Sequence, residues 1–170
     1  MRNLGFIPLG TLKTGDNRFE LEGQARDFGC EVREVKENPS FQGLVDGIKV
    51  GVVITRSGRR FLVRGRLKFR ARLKCAICGE DYEQAFDEEM IAEFTMLKRE
   101  RLVYAKELEP EELDRLPVDA DFVNLTQMVR DAIHLAIPIA PKCRPDCKGI
   151  CPVCGVNRNE VECNCAQQGR

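Results

Sequence analysis

Residues Arg60 to Lys74 read RFLVRGRLKFRARLK, and their near-strict alternation decides the fold. Odd positions carry Phe61, Val63, Gly65, Leu67, Phe69, Ala71 and Leu73. Even positions carry Arg60, Leu62, Arg64, Arg66, Lys68, Arg70, Arg72 and Lys74. A period of two puts the apolar set on one face of a strand and the cations on the other. The run is about twice the usual strand length, so a bulge or bend is expected at Gly65.

The alternation resumes after Cys75-Ala-Ile-Cys78-Gly79 with opposite parity and opposite charge. Tyr82, Phe86, Met90, Ala92, Phe94 and Met96 share one face, and Glu83, Asp87, Glu89 and Glu93 share the other. The cysteine pair therefore sits at a hairpin tip. If paired residue numbers sum to 155, Leu73 meets Tyr82, Phe69 meets Phe86 and Val63 meets Ala92, while Leu67 meets Glu88. On the outer face Arg72 meets Glu83, Lys68 meets Asp87 and Arg66 meets Glu89. A slip of one residue would split the apolar sets between faces, whereas a slip of two preserves them. In this register Arg60 faces Thr95, Arg64 faces Ile91 and Arg70 faces Ala85, so the outer face reads either as a residual basic surface that meets phosphate or as a solvated, salt-bridged face. Upstream, Ile48, Val50, Val52 and Ile54 alternate toward a Gly-containing turn at Arg56-Ser57-Gly58-Arg59. Pairing with sum 115 sets Ile54 against Phe61 and Val52 against Val63, giving a three-stranded antiparallel meander.

Farther upstream, Phe28, Cys30 and Val32 suggest another strand, with Cys30 a buried free thiol. Gly10 to Asn17 read as a loop. Residues 98–121 are acidic and interrupted by Pro110 and Pro117, and read as a solvated connector with one short helix over 111–116. Asn124 is a good N-cap for a helix whose stripe is Leu125, Met128, Val129, Ala132, Ile133 and Ala136, ended by Pro138. His134, the single histidine, falls off that stripe and reads as a surface residue. Formal net charge is zero but segregated. Residues 1–74 carry 16 Lys/Arg against 8 Asp/Glu, residues 75–131 carry 6 against 16, and residues 132–170 carry 5 against 3. Such segregation means either a basic binding surface or two segments that pair with each other.

Eight of the nine cysteines come in tight pairs: Cys75/Cys78, Cys143/Cys147, Cys151/Cys154 and Cys163/Cys165. Two pairs read Cys-x-x-Cys-Gly, the shape of a zinc knuckle, in which one tight loop supplies two soft ligands and the glycine permits positive φ. The first residues contain no apolar core of a secretory signal, and no apolar run approaches the roughly 20 residues that span a bilayer. The expectation is a cytoplasmic chain in a reducing compartment, where paired cysteines bind metal or do redox work rather than form structural disulfides. Iron–sulfur ligation is a further alternative, although no ligand set matches a ferredoxin run. From Lys142 onward the chain has almost no apolar residues beyond Ile150, Val153, Val156 and Val161, so it needs a metal or a docking surface to become ordered.

The stretch Cys143-Arg-Pro-Asp-Cys147-Lys-Gly149-Ile-Cys151-Pro152-Val-Cys154-Gly155-Val-Asn157-Arg-Asn159, then Cys163-Asn-Cys165, follows a helix ending Leu135-Ala-Ile-Pro138 and the mid-chain pair Cys75/Cys78. Over residues 44–165 this resembles the YceD family of large ribosomal RNA subunit accumulation proteins. The resemblance implies a bacterial or plastid factor in ribosome biogenesis, needed for normal levels of large-subunit (23S) ribosomal RNA, and does not imply an enzyme. The residues agree. There is no Gly-rich phosphate loop of the nucleotide-binding types, and a cysteine nucleophile would want a histidine base that the chain hardly offers.

The expected architecture is α+β: residues 1–141 form a mainly antiparallel sheet domain with an acidic connector and one packed helix. Residues 142–170 form a Cys-rich zinc-binding tail docked on it. One or two zinc ions are expected, with no membrane and no small-molecule substrate. The preferred ligand sets are Cys75, Cys78, Cys143 and Cys147, and then Cys151, Cys154, Cys163 and Cys165, because the second set closes within one short segment. The alternative couples the two Cys-x-x-Cys-Gly knuckles and leaves Cys143, Cys147, Cys163 and Cys165 to pair. Candidate contacts to pre-ribosomal RNA or particles are Arg60, Arg64, Arg66, Lys68, Arg70, Arg72, Lys142, Arg144, Lys148 and Arg158, binding mainly by charge. Two other functions stay open: an adaptor whose acidic connector docks a basic ribosomal protein, and a thiol-redox protein.

Overall fold

A computed structural model describes residues 4–28, 39–96, 115–118 and 121–165. Its strands are β1 (Phe6–Pro8), β2 (Gly15–Gly23), β3 (Phe41–Leu44), β4 (Ile48–Ser57), β5 (Arg60–Lys74), β6 (Asp81–Thr95), β7 (Arg115–Pro117) and β8 (Phe122–Asn124), followed by helix α1 (Thr126–Ala136). The main sheet runs β2-β4-β5-β6-β7, with β3 pairing β5 beyond the end of β4. Every pairing in it is antiparallel except β6 with β7. β1 and β8 form a separate antiparallel pair.

The long hairpin follows from the alternation. β5 and β6 pair over their full length in the register that sums to 155, from Arg60 opposite Thr95 to Lys74 opposite Asp81. The odd residues of β5 are buried apart from Gly65, and Phe86, Met90 and Phe94 of β6 join them. Phe69 stacks on Phe86 with ring centroids 4.8 Å apart. Leu67 is fully buried even opposite half-buried Glu88, because its side chain points into the core whatever its neighbour carries.

Several expectations are corrected. β5 has no bulge at Gly65; its ladders to β4 and β6 run unbroken. The glycine is there because the core is full: a Cβ would lie 2.8 Å from Val52 Cγ1 and 3.1 Å from Met90 Cε. The β4–β5 hairpin is displaced by two residues from the expected pairing, with Ile54 opposite Val63 and Ser57 opposite Arg60. Gly58, at φ +60, then takes the first central position of the turn, where a primed turn that matches strand twist needs positive φ. Gly10 to Asn17 is not a plain loop, since residues 9–11 form a 3-10 turn and β2 starts at Gly15.

Phe28 is buried, but in a 3-10 turn over Ala25–Phe28 rather than in a strand. Cys30 and Val32 lie outside the described residues. So does most of the acidic connector, although Arg115 and Leu116, expected in a short helix, belong to β7. Helix α1 buries Met128, Val129 and Ile133, with Leu125 just ahead of it, and leaves His134 exposed. The N-cap position falls to Leu125 rather than the expected Asn124 and carries no side-chain cap, although Asn124 Oδ1, one residue earlier, accepts the Thr126 N–H at 2.9 Å and so serves one of the donors a helix start leaves unpaired. Among the described residues no helix is long and apolar enough to cross a membrane.

Candidate metal centres

The tip of the β5–β6 hairpin and the first turn of the tail are built alike. Gly79 N–H donates to Cys75 O at 2.9 Å, and Gly155 N–H donates to Cys151 O at 2.9 Å. Cys75 N–H reaches Glu80 O at 2.8 Å, and Cys151 N–H reaches Val156 O at 2.8 Å. Gly79 and Gly155 have φ of +76° and +74°, the left-handed region a side chain disfavours. Each turn thus folds its two sulfurs to the same side.

The tail then reaches back to the hairpin. Ala76 N–H donates to Pro141 O at 2.8 Å, and Ile150 N–H to Ile77 O at 3.4 Å. Gly149 sits so close that a Cβ there would lie 2.6 Å from Ile77 Cγ2. This docking gathers Cys75, Cys78, Cys143 and Cys147 into one group. Cys151, Cys154, Cys163 and Cys165 form a second, and within each group all sulfurs lie within 4.8 Å of one another. The grouping is the contiguous one; the two knuckles do not share a site.

The donor set fits a metal. Cys75 Sγ lies 3.8 Å from Cys147 Sγ, and Cys78 Sγ lies 3.7 Å from Cys143 Sγ. Four sulfurs about 2.3 Å from a tetrahedral ion would stand about 3.8 Å apart, whereas a disulfide needs about 2.05 Å. All eight cysteines are free thiols. Crowding drives their acidities apart, because neighbouring thiolates cannot all ionise without a cation between them. Burial pushes Cys75 up, but N–H groups of Cys143, Cys78 and Ile77 outweigh it and hold the thiol down at about 6. Burial and the Cys78 side chain push Cys143 up to about 12. In the second group, N–H groups of Cys154 and Val153 hold Cys151 at about 6, while the Cys154 side chain and burial push Cys165 up to about 12. Either group could hold a metal ion.

Two asparagines carry a role that sequence reading did not assign. Asn159 Nδ2 donates to Cys147 Sγ at 3.4 Å, and this contact is the main cause that holds the Cys147 thiol below its ordinary pKa. Asn157 Oδ1 accepts from both Asn159 Nδ2, at 2.9 Å, and Asn159 N–H, at 3.1 Å. The available signal was polar residues between cysteine pairs in a stretch too poor in apolar residues to order itself.

The candidate nucleic-acid residues divide in two. Arg60 pairs with Glu93 at 3.8 Å, Arg66 with Asp87 at 3.3 Å and Glu89 at 3.0 Å, and Lys68 with Asp87 at 3.4 Å. Arg70 pairs with Asp46 at 3.0 Å and Glu83 at 2.6 Å, Arg72 with Glu83 at 3.2 Å, and Arg144 with Asp146 at 3.9 Å. Arg60 and Arg70 face no acid directly; they reach carboxylates diagonally, two positions along β6. Among the described residues, Arg64, Lys142, Lys148 and Arg158 have no carboxylate within 4.0 Å. Arg64 lines a shallow depression of about 560 Å³ on the outer face with Arg66, Arg18 and the acids Glu20 and Glu89, the Glu20 carboxylate lying against Gly51. Arg18, across β4 from Arg64, was not singled out from the sequence because its strand was not recognised.

Comparison with known proteins gives these geometries a context. The family described as Large ribosomal RNA subunit accumulation protein YceD matches residues 63–170. The chain is 24% identical over 194 residues to the Large ribosomal RNA subunit accumulation protein YCED homolog 1, chloroplastic, of Arabidopsis thaliana, covering 95% of this chain and 55% of that protein. It is 40% identical over 55 residues to the Zea mays protein of the same name, covering 31% of this chain and 19% of that one. An uncharacterized protein of Mycobacterium bovis is 53% identical over 34 residues, 20% of this chain and 16% of its own length. The chain spans about half the length of the Arabidopsis relative and less of the others. No solved structure matches.

Proposed function

We propose, since the chain belongs to the YceD family of large ribosomal RNA subunit accumulation proteins, that it is a non-enzymatic cytoplasmic factor of ribosome biogenesis. It supports the accumulation of large-subunit ribosomal RNA by binding that RNA or its precursor particles. Family membership over residues 63–170 is the observation that carries this reading.

Among the described residues, the candidate cations with no carboxylate within 4.0 Å include Arg64, with Arg18 beside it, and Lys142, Lys148 and Arg158 near the thiol groups. The ion-paired arginines of β5 add to them, because their side chains are half or more exposed, and such pairs are worth less than about 1 kcal/mol and yield to a polyanion. The ions are zinc, one per group of four thiols. With every position filled by protein sulfur, each ion supplies a cross-link and leaves no open position for catalysis.

The test is binding of purified protein to large-subunit RNA and to precursor particles across a salt series. Affinity that falls steeply with salt supports the reading, and no salt-sensitive affinity for either overturns it. Pull-down after nuclease treatment separates it from a protein adaptor, which would keep its partner.

A further inference from the structure

Asn159 belongs by position to the second thiol group, in the loop between Cys154 and Cys163. Its side chain serves the first. Oδ1 accepts the Lys148 N–H at 2.8 Å, next to Cys147, and Nδ2 donates to Cys147 Sγ at 3.4 Å and to Asn157 Oδ1 at 2.9 Å. The amide orientation is set by its partners: the Lys148 N–H needs an acceptor, which leaves the NH2 for the sulfur. The loop is held in this position by Arg158 N–H on Gly149 O at 2.8 Å and by the bridge between Ile150 and Asn157. It is also tied across to the hairpin by Asn157 Nδ2 on Glu80 Oε1 at 3.5 Å. The loop that the second group closes therefore supplies the hydrogen bond that the first group receives.

We propose that the two metal centres are coupled through Asn159: filling the second group orders the loop that places the Asn159 amide on Cys147, and this strengthens metal retention in the first. The inference rests on both groups holding metal. Four thiolates around a divalent ion carry a net charge of about −2, and an N–H donor on one sulfur offsets part of it. Outer partners of this kind typically change metal affinity by about 10–100-fold. Coupling of binding free energies is reciprocal, so metal in the first group tightens the second by the same factor.

The experiment uses the full chain loaded with cobalt(II), whose thiolate charge-transfer absorption reports each bound ion during chelator competition. Wild type, Asn159→Ala, Cys163→Ser/Cys165→Ser and the combined variant are compared. Asn159→Ala keeps all eight thiols and is expected to retain two ions while losing first-group affinity by about tenfold or more. The double cysteine variant is expected to lose one ion and weaken the remaining one by a similar factor. The combined variant is expected to be no weaker than the double cysteine variant, because the two changes break one connection. First-group affinity unchanged in Asn159→Ala, or fully additive losses, overturns the coupling. Two ions in wild type without coupling defeats this inference alone. One ion in wild type defeats it together with the two-metal reading.

Discussion

The two thiol groups have the same chemistry and opposite topology. The first joins residues far apart, Cys75 to Cys147 across 72 positions and Cys78 to Cys143 across 65, and two of its members are buried. The second closes within residues 151–165, with Cys154 exposed. By loop-closure entropy, holding ends 72 residues apart rather than about 12 costs roughly 1.5 kcal/mol more. That cost is offset by contacts only the first group has: Ala76 on Pro141, Ile150 on Ile77, and Gly149 against Ile77. A filled long-range group would fasten the start of the tail to the hairpin tip, and a filled local group would close residues 151–165 on themselves.

The largest effect should come from breaking the long-range group. Cys75→Ser is expected to release the tail from the hairpin, so that limited proteolysis cuts after residue 141 at least tenfold faster. Unchanged cleavage would mean that backbone contacts alone hold the tail. Breaking the local group with Cys163→Ser should act differently: cleavage moves inside 151–165, while the melting temperature of the sheet stays within about 2 °C of wild type, read by circular dichroism. A clearly larger drop would show that the local group supports the sheet.

Smaller changes sharpen the same contrast. Gly149→Ala forces a methyl into Ile77 and should cost about 1–3 kcal/mol of docking, visible as faster tail proteolysis with both ions retained. Loss of an ion would instead place Gly149 in the metal site itself. Glu83→Ala removes the exposed pairs with Arg70 and Arg72 beside the hairpin tip. It should change stability by less than about 1 kcal/mol and leave metal content alone. A larger loss would give the outer face a structural weight the account denies it.

The sequence made some of this legible and hid the rest for identifiable reasons. The β5–β6 register was readable because two 15-residue strands of opposite parity meet at a cysteine tip that marks the turn. The β4–β5 register was missed by two because parity cannot distinguish Ile54 opposite Phe61 from Ile54 opposite Val63; only the place of Gly58 in the turn does. β2 was hidden by Asn17, a polar residue at a core-parity position. Its Nδ2 bonds Lys13 O, Gly15 O and Ile54 O, and its Oδ1 accepts from Lys13 N–H. The cysteine grouping followed from contiguity, but the Asn159 contact did not, because nothing in a one-dimensional pattern says that the second loop folds back onto Cys147. Arg60 and Arg70 looked unpaired because only directly opposite residues were compared, and long side chains reach the diagonal.

On this reading two four-thiolate metal centres fasten the tail, one of them through the hairpin tip. Elemental analysis of protein purified without added metal, as wild type and as Cys75→Ser, tests it most directly. Two zinc ions per wild-type chain and one in the variant are expected. One ion in both proteins would confine metal to residues 151–165 and contradict the hairpin centre, and no metal in either would contradict the account altogether.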